Sequence, residues 1–255
     1  MQKQKQTKIL TLDDLKRLPD PVSLGPRHYP IGHYEFISRV MGGLRDAKLK
    51  VASQDIRLLD RRNQIFATFH IEGQDEMTLP GGVKFMIGAK GSINRTIAEM
   101  LCFGSHVIVC ENGMFVGEHV IGAKNTPNIL QVLPPRIAEV LSAFTQFRET
   151  QVQQYSRLVD VDVSDRVAHD FICNITRQGE EIIPKGMIAD VITQWHEPDH
   201  NWGDKTAWRL YNAASHVAKT FVDRNPVVGS DRTMALHDLF VAAFAPDLPQ
   251  VVEDN

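Results

Sequence analysis

Two stretches of this chain combine residue types and spacings that do chemistry. The first is His196-Glu197-Pro198-Asp199-His200, letter for letter the H-E-x-x-H pattern of zinc hydrolases. That chemistry needs both histidines on one helical face, four residues apart, with the glutamate as general base. Pro198 stands against it, because a proline inside a helix removes a backbone donor and clashes with the preceding turn. Proline also drives Glu197 towards extended geometry. Trp195, Asn201, Trp202 and Gly203 flank the pattern and read as a loop with aromatic anchors. His196 and His200 therefore stand as weak metal ligands, and a polar linker before Trp208 is the plainer alternative.

The second stretch is cationic. From Met77 to Ala98 the chain has no Asp or Glu, yet it carries Lys84, Lys90 and Arg95. Gly81, Gly82, Gly88 and Gly91 let backbone amides face outward, and Ser92, Asn94 and Thr96 add hydrogen-bonding groups. Loops of this kind cradle phosphates. The run Gly88–Thr96 is not a P-loop, because G-x-x-x-x-G-K-[ST] is absent. Arg61 and Arg62 at a nearby turn extend the expected patch, and a solvated loop with incidental charge is the competing reading. A third possibility, Cys110 as a nucleophile with His106 or His119, fails on distance for the first pair. In an extended strand, residues four apart lie roughly 13 Å from each other. Trp195, Trp202, Trp208 and Tyr211 are aromatic enough to stack nucleobases, but they serve equally well to pin a loop to a helical body.

The elements that must position these residues divide the chain in two. Thr11 is an N-cap for a short helix ended by Pro19 and Pro21. An ordered Pro/Gly-rich loop over 20–30 precedes an amphipathic helix over 32–50, with Tyr34, Ile37, Val40, Met41 and Leu44 at helical spacing. Val51–Leu59 and Ile65–Ile71 read as a hairpin about the turn Asp60-Arg61-Arg62-Asn63. A third strand at Phe85–Ile87, a basic loop at 88–95, a short helix at 96–103 and a fourth strand at 106–110 follow. Asn112-Gly113 is a tight-turn dipeptide before a fifth strand at 114–120. Beyond Pro134-Pro135 the pattern turns helical. A long amphipathic helix covers Pro135–Leu158, with others at 163–177, from Pro184, at 207–221 and at 234–244. The expected fold is α+β, an antiparallel sheet of four or five strands over 1–126 and a helical half over 127–255, with one continuous core as an alternative.

Composition narrows the functional classes. The 255 residues are 43% hydrophobic and 23% charged, with formal net charge −3 and pI near 6.4. A strongly basic coat for duplex DNA does not fit this balance, although a local basic patch does. Cys102, Cys110 and Cys173 are odd in number and widely spaced, which fits a reducing compartment rather than a disulfide framework. The first residues lack the apolar run of a signal peptide, and no stretch approaches the ~20 apolar residues of a membrane span. An intracellular protein without a membrane partner is expected.

Three segments carry a resemblance. Asn94–Glu118 ends in HVIVCENGMFVGE, Trp208-Arg-Leu-Tyr-Asn-Ala-Ala opens a late helix, and Arg27-His-Tyr-Pro-Ile precedes the first long one. In this order they resemble the family called domain of unknown function 932, whose members carry a similar Val-Cys-x-Asn-Gly turn. The family's Asn-Ser-His-Asp-like run appears here as Lys90-Gly-Ser-Ile-Asn-Arg. The resemblance implies an accessory protein of phages or plasmids in the bacterial cytoplasm, and it supplies no catalytic residue. We therefore expect a non-enzymatic binder of single-stranded DNA, related to annealing or recombination. It would use Lys84, Lys90 and Arg95 with Arg61 and Arg62, no cofactor, and homo-oligomers built partly on Pro135–Leu158. The alternatives are a protein-binding inhibitor of a host defence or restriction system, and a metal-dependent hydrolase at His196 and His200.

Overall fold

A computed structural model describes residues 9–76, 79–107, 112–121, 127–175 and 182–249. Five strands form one antiparallel sheet in sequence order: β1 (Val51–Leu59), β2 (Gln64–Glu76), β3 (Val83–Ser92), β4 (Met100–Val107) and β5 (Asn112–Val120). Each strand pairs with its sequence neighbour, so short turns suffice and no crossover is needed. In the first pair Ile56 lies opposite Ala67, and Leu58 opposite Ile65. The alternation expected of β2 is present, with Ile65, Ala67, Phe69 and Ile71 all buried. The α+β class and the helical C-terminal half are as the sequence indicated.

The residues form two compact units. The first comprises the described residues of Met1–Gly73, Met86–Cys102 and Glu118–Phe144; the second those of Gln74–Phe85, Phe103–Gly117 and Thr145–Asn255. In the first unit, α1 (Leu12–Lys16) starts at Thr11 with a reciprocal cap. Thr11 Oγ1 accepts from the Asp14 amide, and the Asp14 carboxylate accepts from the Thr11 amide. Helix α2 (His33–Asp46) buries Phe36, Ile37, Val40 and Leu44. It lies against α3 (Ile129–Ser142), close enough that a Cβ on Gly43 would meet Ile137 Cγ2 at 2.3 Å.

The second unit holds α4 (Phe144–Asp160), apart from its first residue, with α5 (Asp165–Ile175), α6 (Ile188–His196), α7 (Ala207–Arg224) and α8 (Pro226–Phe244). Trp195, Trp202, Trp208, Tyr155 and Tyr211 are the largest fully buried side chains in its interior. Rings as large as these bury much apolar area, and their polar tips need partners. Trp208 Nε1 donates to the Pro80 carbonyl at 3.0 Å, and Ser105 Oγ and Tyr155 Oη share a hydrogen bond of 2.6 Å.

Several local expectations change. No helix occupies 96–103. Ser92 Oγ donates to the Ile97 carbonyl and accepts from its amide, both at 2.8 Å, closing a hairpin turn into β4. Leu101, Cys102 and Phe103 are buried in sequence, a continuous run that strand and helix templates fit alike; the hairpin decides for strand. β4 therefore starts six residues before the strand expected at 106–110, and residues 108–111, Cys110 among them, lie outside the described set. Asn112 and Gly113 open β5 instead of forming a tight turn. The long helix expected from Pro135 begins at Ile129 and breaks at Ala143 into α3 and α4. It runs through Pro134 and Pro135, with Ile129 and Leu133 buried and the Gln131 and Val132 amides closing the first turn on Asn128. The last helix is longer than expected, starting at Pro226 after the Asn225 cap.

Candidate nucleic-acid interface

The β1–β2 and β3–β4 turns meet at one end of the first unit. The Ile93 amide donates to the Asn63 carbonyl at 2.9 Å, and Gln64 Nε2 donates to Thr96 Oγ1 at 3.0 Å. Asn94 Nδ2 reaches Asp60 Oδ2 at 3.4 Å. In a meander, alternate turns fall on the same edge, so antiparallel order alone brings residues 60–63 beside 93–97. Arg61, Arg62 and Arg95 are exposed there.

Backbone conformation presents these arginines. Asp60, Arg61, Arg62 and Arg95 have φ of 44°, 54°, 74° and 65°. Left-handed geometry at four non-glycine residues in two adjacent turns is uncommon, and such outliers motivate a search for function. Two contacts hold the turns to the neighbouring segments. His33 Nε2–H donates to the Arg62 carbonyl at 2.9 Å, and Arg95 Nη2 donates to the Arg27 carbonyl. Burial lowers the His33 pKa, and the bond to Arg62 offsets part of that shift. Arg27 is itself exposed, so Arg27, Arg61, Arg62 and Arg95 all stand on this one unit. Sequence inspection passed over Arg27, although Arg27 opens one of the three motif segments.

Lys90 does not join them. It lies in β3 with 2% of its surface exposed, so it offers no charge to an external ligand. The stretch expected as a loop over 88–95 is strand as far as Ser92, and β3 is buried on both faces, which turns Lys90 inward. Lys84, half-buried at the start of β3, belongs to the second unit.

Beside the turns lies a cleft of about 720 Å³ between the end of α1, the 19–32 segment and the starts of α2 and α3. Its lining includes Lys16, His28, Tyr29, Tyr34, Ile93 and Leu130. Ser23 Oγ lies 2.7 Å from the carbonyls of both Gly25 and His28, and its single proton is given to one of them or shared between the two, fixing the segment.

The histidine pattern does not form a hydrolase site. α6 ends at His196, and Glu197 has φ −128° and ψ 73°, outside the helix. Pro198 has the effect expected of it, so His196 and His200 do not share a helical face. His196 Nε2 instead lies 3.0 Å from His169 Nε2, and the His200 ring lies 5.8 Å from that of His216. Among the described residues no group of three or more His, Cys, Asp or Glu side chains is arranged to hold a metal. Trp208, Tyr211 and Asn212 are buried, with Trp208 stacked on Tyr211 at 5.8 Å and Asn212 Nδ2 donating to the Trp208 carbonyl. They are structural and present no face to a nucleobase.

The chain matches the family described as domain of unknown function (DUF932) over residues 38–235, a span that includes Arg61, Arg62 and Arg95 and begins after the 19–32 segment. No curated protein and no solved structure matches it.

Proposed function

The chain belongs to the family described as domain of unknown function 932, and since that description assigns no activity, we propose a function from the geometry of the first unit: non-enzymatic binding of single-stranded DNA. The observation that carries this reading is the contact of the two turns, which gathers Arg61, Arg62 and Arg95 beside Arg27 on a chain of net charge −3. Arginine forks match phosphate oxygens, and a local patch suffices for contact where the whole-chain charge does not. Lys84 and Lys90 are left out of the proposed contact. An accessory role on phage or plasmid DNA in the bacterial cytoplasm, with homo-oligomers along the strand, is part of the same proposal. Among the described residues no helix is long and apolar enough to cross a membrane.

The test is a salt titration of labelled single-stranded DNA binding. Four phosphate contacts give a slope of log K against log salt of about −3. Reversing charge at Arg61 and Arg62 together should abolish the shift. Absence of binding at low salt would sink the proposal.

One observation favours the rival reading, a protein-binding inhibitor of a host defence system. Val22 and Leu24 are 79% and 67% exposed on the segment that lines the cleft, and Leu130 is also exposed at its edge. Apolar side chains grouped in this way mark protein interaction sites. Val22→Asn with Leu24→Gln separates the readings, because it removes the apolar side chains a protein partner would bury, adds no charge, and leaves the salt-dependent DNA shift in place.

A further inference from the structure

The His28 ring is 3% exposed and lies in the wall of the cleft. Its Nδ1 accepts a hydrogen bond from the Leu24 amide at 2.8 Å, which leaves the ring proton on Nε2. Among the described residues that Nε2 has no partner. A buried donor without an acceptor is destabilising, so an acceptor brought to it by a ligand or a water stabilises the segment. Beside it Tyr29 is 47% exposed, and the backbone of Arg27 is held by the Arg95 guanidinium. An orphaned donor, an exposed aromatic face and a cluster of arginines thus lie within one short segment and its contacts.

We propose that the cleft takes an unstacked base of a single-stranded nucleic acid, with an acceptor on the base edge meeting His28 Nε2–H and the base face resting on Tyr29. This rests on the nucleic-acid reading above and adds to it the site that distinguishes a single strand from a duplex. Every nucleobase presents an acceptor edge and a π face, so the site tolerates sequence. A paired base in a duplex shows acceptors only at its groove edges and keeps its face stacked, so it cannot meet His28 and Tyr29 together without leaving the stack. The volume, about 720 Å³, lies within the range of small-ligand sites. The positive charge suits the phosphates that flank such a base. Nε2 is shielded from solvent, and the contact proposed for it requires the base edge to reach past the atoms that cover it.

The experiment is fluorescence anisotropy of the full chain with a labelled dT oligonucleotide and with a duplex of equal length, across a salt series. The variants are Tyr29→Ala, His28→Asn and the pair Arg61→Ala with Arg62→Ala. Asparagine places an acceptor where Nδ1 stood, keeps the Leu24 bond and deletes the Nε2 donor. Wild type should prefer the single strand. Tyr29→Ala should lose about tenfold on the single strand, with duplex binding and salt slope unchanged. His28→Asn should lose about threefold in the same pattern. The arginine pair should weaken both ligands and flatten the slope. If wild type binds with a salt slope that the arginine pair flattens, while Tyr29→Ala and His28→Asn bind the single strand like wild type, the base cleft is wrong and the phosphate reading survives. If wild type binds neither ligand at low salt, both fall.

Discussion

The Arg95 side chain donates from Nη2 to the main-chain carbonyl of Arg27, joining segments 68 residues apart. Arg95 itself has φ 65°, a conformation costing an L-residue about 1 kcal/mol or more. The turn is thus strained at the residue that anchors the cleft segment. Replacing it by glycine removes the strain, the hydrogen bond and the charge together.

Arg95→Gly should therefore keep its stability within about 1 kcal/mol of wild type, because relief of strain offsets the lost bond. Arg95→Ala retains the strained φ and should be less stable than Arg95→Gly by about 1 kcal/mol. Both should lower the salt slope of single-strand binding by about 0.7, the share of one phosphate. Chemical denaturation checks the first pair of outcomes, and the salt titration the second.

Gly43 is the point of closest approach between α2 and α3, where an added Cβ would lie 2.3 Å from Ile137 Cγ2 and 3.4 Å from Leu141 Cδ1. Gly43→Ala gains helix propensity, about 1 kcal/mol in favour. The overlap costs about 1–3 kcal/mol. Net destabilisation of the first unit is expected, and Gly43→Ala combined with Ile137→Leu, which removes the Cγ2 branch, should recover part of it in a denaturation series. A stabilised single variant would show that the helices separate freely.

Glu99 is 1% exposed, and neither carboxylate oxygen has a hydrogen-bond partner on another described residue; its own backbone offsets part of the effect of burial. Burial raises its pKa from 4.5 to about 7. The folded chain then binds more protons than the unfolded one. Its contribution is full below pH 4.5 and is lost as pH rises through 7. Glu99→Gln should remove that loss, worth on the order of 3 kcal/mol by pH 8 or above. Urea midpoints of wild type and variant should converge near pH 4 and separate above pH 7. Parallel profiles across that range would show that Glu99 does not titrate as described.

His237 behaves in the opposite sense. It is fully buried in the second unit, within hydrogen-bond distance of Gln151, Gln154 and Tyr211, and burial lowers its pKa from 6.5 to about 3. The folded chain binds fewer protons than the unfolded one between these values. Stability is complete above pH 6.5 and is lost as pH falls towards 3, at about 1.4 kcal/mol per pH unit in the middle of that window. His237→Gln should be less stable at neutral pH through its altered hydrogen bonds and should lack this one-proton slope. Stability measured at half-unit steps of pH gives the slope directly.

The sequence by itself determined the kinds of element and much of their order. Period-two burial in Ile65–Ile71, the Thr11 cap, and the helical spacing of Ile37, Val40 and Leu44 each follow from local geometry that a single segment carries. Pro198 likewise announced the end of α6, and with it the failure of the histidine pattern. Only the tertiary structure decided what faces outward and what meets. A strand buried on both faces shows no alternation, so nothing local carried β3 past Ile87 into the glycine-rich run or turned Lys90 inward. Continuous apolar runs fit helix and strand alike, which is why 96–103 read as a helix until the Ser92–Ile97 turn closed it. Arg61 and Arg95 come together through the pairing of four strands, and Arg27 joins them through one long-range hydrogen bond. Charge in a sequence has no direction; the register of the sheet supplies it.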